Sequence, residues 1–289
     1  MIPAMNIIAW SQHAPWAEQR QVEQDLIISR ALVELFSDPF LAQELRFRGG
    51  TALNKLHFPR ALRYSEDIDL VRTTAGPIRP ILDHVHDILD RWMGQPKFDQ
   101  SPIAPKLRYI VEPEDRSSPI PIRLKIEINT REREAYDPIQ ARPFRVENPW
   151  FSGAAEVPTF SNEELLATKL RALLQRKKGR DLIDLSHSLE TFPALDTQKV
   201  VDLLGRYLAA TGISISRAQA EQRMFEKLDD PNFMADVRPL LAADVRDAFD
   251  GAAATAAFTG VFDRIIRLMP GTAWALTPEM IKRFELTAL

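Results

Sequence analysis

The sequence predicts an α+β fold, a mixed sheet with flanking helices followed by a helical C-terminal domain, and three observations carry that prediction. Short runs with strand-like alternation occur only in the first half of the chain, at Leu45–Arg48, Asp67–Arg72, Lys106–Val111 and Pro121–Asn129. Helical periodicity separates those runs and takes over from about Asp196. At 289 residues the chain can bury a substantial core and still divide, so residues 1–195 are expected to form one domain and 196–289 a second, helical one.

Composition narrows the function classes. A net charge of -3 gives no global attraction to nucleic acid, so any such contact depends on local basic patches. The absence of cysteine excludes disulfides and cysteine-bound zinc, and fits a reducing, cytoplasmic compartment. The N-terminus lacks a basic region followed by a long apolar core, and no run reaches the ~18 apolar residues of a membrane helix, so the chain is expected to be neither exported nor membrane-spanning.

Taken in order, Gln21–Phe36 spaces Leu26, Ile27, Leu32, Val33 and Phe36 as an amphipathic helix, and Asp38-Pro39 opens a shorter one ending near Glu44. Leu45–Arg48 is the first strand. Gly49-Gly50 then makes a permissive turn into a helix over Thr51–Leu56, whose free N–H groups suit an anion; Gly49, Gly50 and Thr51 are therefore a candidate phosphate seat. In Asp67-Ile68-Asp69 alternation sends both carboxylates to one face and Ile68 and Leu70 to the other. Hard oxygen ligands at that spacing suit Mg²⁺ or Mn²⁺, and such a metal also binds substrate phosphate. Carboxylates inside an apolar strand need a metal or partner, which sets this pair apart from a solvated turn. Ser65, two residues earlier, would orient the turn or a phosphate, and its phosphorylation would put negative charge beside a seat built to receive it.

Beyond Arg72, Ile81–Met93 reads as an amphipathic helix, where His84 and His86 point apart and make no metal site. Arg116 falls in a hairpin loop between two strands. In the second of these, Ile122, Leu124, Ile126 and Ile128 share one face, leaving Arg123, Lys125, Glu127 and Asn129 on the other, with Glu127 as a candidate third carboxylate. Thr130–Arg145 carries Arg131, Arg133, Arg142 and Arg145 as a basic rim. Ser161-Asn162-Glu163-Glu164 is a capping box opening a helix to about Gln175, on which Lys169 and Arg176 share a stripe. Gly179 ends that helix; Asp181 caps the next or orients a basic residue, a role Asp184, near Arg180, fills equally well. Four helices follow, over Thr197–Ala210, Ser216–Leu228, Phe233–Phe249 and Thr255–Leu268, with Arg217, Arg223 and Lys227 on a solvated face.

The order Gly-Gly-Thr, then Ser-Glu-Asp-Ile-Asp, then Ile126-Glu127-Ile128 resembles the DNA polymerase β-type nucleotidyltransferase superfamily. Within it, FRGGTALNKLHFPRALRYSEDIDL and the downstream ELLATKLRALLQRKKGRDLIDL resemble the AbiEii/AbiGii nucleotidyltransferase-like toxin family, over roughly Gln21 to Leu189. Two features depart from the superfamily pattern. Thr51 stands where serine is frequent, and fifteen residues separate it from Asp67. The resemblance implies a polymerase β-like mixed sheet, and an enzyme in which Asp67, Asp69 and Glu127 hold Mg²⁺ ions (or Mn²⁺). A nucleoside triphosphate (NTP) would lie against Gly49, Gly50 and Thr51, with Lys169 and Arg180 serving its phosphates. It also implies growth inhibition by adding nucleotides to RNA, at a transfer RNA (tRNA) 3′ end, opposed by a separate antitoxin. The alternatives are transfer to a small molecule or a protein hydroxyl, or nucleotide binding without turnover.

Overall fold

The computed structural model describes residues 2–101, 103–115 and 120–286, so Arg116 lies outside the described residues. Its two compact units are Met1–Phe160 and Ser161–Leu289. The division falls earlier than the boundary expected near residue 195, because the capping-box helix and its successor make their contacts with the C-terminal helices.

The first unit is built on a seven-stranded sheet in the order β3-β4-β5-β2-β1-β7-β6. The strands are β1 (Leu45–Arg48), β2 (Asp67–Arg72), β3 (Lys97–Asp99), β4 (Lys106–Val111), β5 (Ile122–Asn129), β6 (Gln140–Asn148) and β7 (Phe151–Thr159). The sheet is mixed: β2 runs parallel to β5 and β1 parallel to β7, while the remaining pairs are antiparallel. The centre of the sheet is where alternation was clearest. Ile68, Leu70, Leu124 and Ile126 are almost completely buried on one face, each contributing about 1.5–3 kcal/mol.

The first two helices are α1 (Ala4–Trp10) and α2 (Gln19–Ser37). The second packs across β5, β6 and β7, its start fixed by Glu18 and Gln21, whose side chains reciprocally accept each other's backbone N–H groups. Next come α3 (Pro39–Glu44), α4 (Gly49–Ala52) running into a wider π-helical turn over Leu53–His57, and α5 (Arg79–Met93). In α5, His84 bonds Asp38 and His86 bonds Asp90, in keeping with two rings that make no joint metal site.

Alternation missed the β6–β7 hairpin. Pro143, Gly153 and Pro158 interrupt it, and much of it is only half-buried at the sheet's edge, so no apolar stripe marks it. The basic rim expected over Thr130–Arg145 therefore has its later residues on a strand.

The second unit is helical: α6 (Asn162–Gln175), α7 (Gly179–Thr191), α8 (Thr197–Ala209), α9 (Arg217–Leu228), α10 (Ala243–Ala248), α11 (Gly251–Arg264) and α12 (Thr277–Arg283). Ser161 caps α6 as its box predicts. Gly179 begins α7 rather than ending α6, and a Cβ there would meet the Phe233 carbonyl at 2.7 Å. The expected Phe233–Phe249 helix is instead a short 3₁₀ turn and α10. The Arg217, Arg223 and Lys227 face is not solvated. Arg217 pairs with buried Glu221, Arg223 donates to the Leu174 carbonyl, and Lys227 is buried, its pKa pushed down to about 8 chiefly by desolvation. None of the described helices is long and apolar enough to cross a membrane.

Candidate active site

The segment from β1 through β2 folds into one compact device in the first unit. Strand β1 delivers Gly49 in a left-handed conformation, with φ +84. At this turn the Asp69 carboxylate lies so close that a Cβ on Gly49 would sit 2.5 Å from Asp69 Oδ2. The glycine is thus needed twice, for its backbone and for the approach of the aspartate. Gly50 is buried, and its carbonyl accepts from Asn54, whose side-chain oxygen in turn accepts the N–H groups of Leu62 and Arg63. Asn54 thereby braces the turn against the loop leading to β2.

Thr51 is buried and its hydroxyl is already engaged: it donates to the Asp67 carbonyl at 2.5 Å and shares a 2.8 Å hydrogen bond with the Ser65 hydroxyl. Its observed work is to fasten the glycine turn to the head of β2. The Ser65 hydroxyl shares in that fastening, while the phosphate seat expected at Gly49, Gly50 and Thr51 concerns backbone N–H groups rather than the threonine hydroxyl.

The parallel register of β2 and β5 sets Asp67 beside Lys125 and Asp69 beside Glu127, so the three carboxylates share one face of adjacent strands. Lys125 Nζ lies 2.9 Å from Asp67 Oδ2 and 3.3 Å from Glu127 Oε2, while Lys106 approaches Glu127 at 3.6 Å. Burial pushes the Asp69 carboxyl above the ordinary aspartate value, and Asp67 adds to this against the opposing pull of Lys125 and Arg48. Burial disfavours the Lys125 charge, but Asp67 above all, with Asp69 and Glu127, holds the ammonium above the ordinary lysine value. Lys125 went unassigned in the sequence, although alternation had put it on the Glu127 face.

Among the described residues, no three His, Asp or Glu side chains already converge as a metal cage. The donor set nonetheless fits a hard divalent cation. Three carboxylates share one face, and the positive group now among them is a lysine ammonium standing in for a cation.

A second ionic cluster lies within the helical unit. Lys169 Nζ is held 3.3 Å from Asp181 and 2.9 Å from Asp184, both carboxylates fully buried and the lysine nearly so. Arg176, exposed, makes a two-pronged contact with Asp181. Lys169 and Arg176 do aim at one target, as the helical stripe indicated, but that target is a carboxylate. Two buried aspartates already balance the Lys169 charge, which revises its expected role on a triphosphate. Both aspartates orient Lys169, and Asp181 additionally holds Arg176. Arg180 stands half-exposed in the first turn of α7.

Gly49→Ala is expected to cut transfer activity sharply by displacing Asp69, beyond the ~1–2 kcal/mol that a left-handed conformation costs a non-glycine residue. Gly94→Ala serves as the control for backbone strain without a clash, since Gly94 also has a positive φ, +76, with nothing within 4 Å of an added Cβ. Comparing transfer rates and melting curves of both variants checks this; equal activity would detach the Asp69 contact from function.

The family model described as "Nucleotidyl transferase AbiEii toxin, Type IV TA system" matches residues 30–255. Among solved structures, the fold is similar to MenT4, a nucleotidyltransferase toxin from Mycobacterium tuberculosis H37Rv, with a TM-score of 0.58 and 20% identity, covering 100% of this chain and 98% of that one. It is also similar to JHP933 from Helicobacter pylori, with a TM-score of 0.53 and 16% identity, covering 93% and 97%. At these identities the likeness shows the fold. No curated protein matches the chain.

Proposed function

The chain belongs to the AbiEii nucleotidyl transferase toxin family, and from that premise we propose that it uses Mg²⁺ or Mn²⁺ to transfer a nucleotide from an NTP to RNA, at a tRNA 3′ end. The observation that carries this reading is the contact of Asp69 with the Gly49 turn, in register with Glu127 and two residues from Asp67 on the same strand face. Asp67, Asp69 and Glu127 would hold the metal, which when bound neutralises triphosphate charge and lowers the pKa of a coordinated hydroxyl.

The remaining work falls to the chain's own groups. Gly49 lets the Asp69 carboxylate approach the turn, and the Gly49-Gly50 backbone is the seat assigned to a phosphate. Thr51 and Ser65 keep that turn at a fixed distance from β2. Lys125 offsets the mutual repulsion of the carboxylates before substrate arrives. Within the helical unit, Asp184 serves by holding Lys169. In the reaction the acceptor hydroxyl oxygen bonds to the α-phosphorus as the α–β phosphoanhydride bond breaks, its proton passes to solvent and pyrophosphate leaves, so catalysis is positioning and charge neutralisation. A cognate antitoxin would oppose this activity in the cell.

The test is incubation of the protein with each α-labelled NTP and total RNA, with Mg²⁺, Mn²⁺ or a chelator. Label entering tRNA only when metal is present is the expected result. Label confined to protein or to small molecules would overturn the RNA acceptor.

A further inference from the structure

A cavity of about 280 Å³ opens beside Thr51 and Ser65 in the first unit, lined by none of the residues assigned above to the metal. Its walls are aromatic and its rim is basic. Trp10, Trp16 and Phe58 supply the rings, with exposed His13 set 4.8 Å from Trp10, centroid to centroid. Four cations, Lys55, Arg60, Arg63 and Arg145, line it against a single carboxylate, Asp25.

That carboxylate is the cavity's keystone. Asp25 is buried, accepts from the indole N–H groups of Trp10 (2.8 Å) and Trp16 (3.2 Å), and pairs with Lys55 at 2.8 Å. Both indole rings are therefore locked in place before any ligand arrives, which lowers the ordering cost of binding. Lys55 is held by Asp25 there, Arg63 is buried, and the guanidinium-bearing residues exposed at the rim include Arg60 and Arg145. Arg145 reaches it from β6, its guanidinium exposed and paired at the surface with Glu147.

We propose that this cavity binds one nucleotide unit, a base against the Trp10–His13 wall and a phosphate on Arg60 and Arg145. Fixed aromatic faces beside arginines are the combination that takes a nucleic-acid base together with its backbone charge. The volume lies at the small end of ligand pockets, roughly 300–1,000 Å³, which suits one nucleotide better than a strand. Ser65 lines the cavity, and at most about 7 Å of chain separates it from Asp67, so a nucleotide held here sits beside the proposed reaction centre. The ligand's identity rests on the nucleotidyltransferase reading and deepens it. The unit comes either from the RNA acceptor's 3′ end or from the donor NTP.

The experiment titrates the full chain, in chelator, with adenosine and cytidine 5′-monophosphates, each NTP, a short RNA ending in a 3′-hydroxyl, and inorganic phosphate, reading tryptophan fluorescence and heat. Arg60→Ala/Arg145→Ala and His13→Ala alter only surface groups. They are expected to weaken mononucleotide binding about ten- to a hundredfold, the loss of one or two charge-assisted contacts. A parallel loss for RNA identifies the acceptor end as the occupant, and a parallel loss for NTPs identifies the donor. Wild-type affinity of the variants for every probe, or binding of phosphate as tight as that of the monophosphates, overturns the proposal. A wild-type protein that binds monophosphates through these residues yet transfers nothing to RNA would refute the enzymatic reading while leaving the cavity standing.

Discussion

Replacing Asp67 or Asp69 with asparagine is expected to lower nucleotide transfer by about 10³-fold or more while the protein stays folded. Each substitution keeps the side chain's volume and removes one of three carboxylates on a shared strand face. Several kcal/mol of transition-state charge stabilisation depends on such a set, and about 4 kcal/mol is a thousandfold in rate. The stability effects should be small and of opposite sign. Asp67→Asn gives up a half-exposed contact to Lys125, about 1 kcal/mol or less. Asp69→Asn removes a charge that burial and Asp67 both oppose, so it should be neutral or slightly stabilising. Transfer rates at saturating metal, measured beside thermal unfolding, separate these effects. Rates within a few-fold of wild type would remove the two aspartates from the site.

Lys169→Ala is expected to destabilise the helical unit by about 3–5 kcal/mol, because it leaves two buried carboxylates, Asp181 and Asp184, without their shared cation. Lys177→Ala, by contrast, removes a largely exposed partner of Asp230 and should change stability by no more than ~1 kcal/mol. Adding Asp184→Leu to Lys169→Met should recover part of the loss, since removing both partners of a buried pair costs less than orphaning one. Denaturant unfolding of the four proteins checks the ordering; a fully stable Lys169→Ala would return the lysine to the surface and to a substrate role.

The same cluster sets a pH dependence. Burial alone would raise the Asp181 pKa, but the Arg176 hydrogen bonds and the Lys169 charge hold it below the usual aspartate value. A carboxylate whose folded pKa is depressed binds fewer protons than in the unfolded chain. Its stabilisation is therefore present above the unfolded value, about 3.9, and is lost as the pH falls through the lower folded value. Acid titration of the Arg176→Ala variant should begin at higher pH than that of wild type.

Local chemistry was legible without coordinates. Alternation at Asp67–Arg72 and Ile122–Asn129 identified two strands and the face of each carboxylate, because a strand's period depends only on its own residues. Gly49-Gly50 marked a turn, and Ser161 with Glu164 marked a helix start, for the same reason. The β6–β7 hairpin was not legible, since prolines, a glycine and an edge position remove the apolar stripe that alternation needs.

Only the tertiary structure decided which groups meet. The parallel register of β2 with β5 put Lys125 between Asp67 and Glu127, joining segments far apart in the chain through backbone hydrogen bonds that no local pattern encodes. Likewise, a helical stripe gave Lys169 and Arg176 a common direction but no partner. Folding α7 against α6 supplied two buried aspartates, and desolvation made those pairings obligatory, because a charge removed from water must be met by an opposite one.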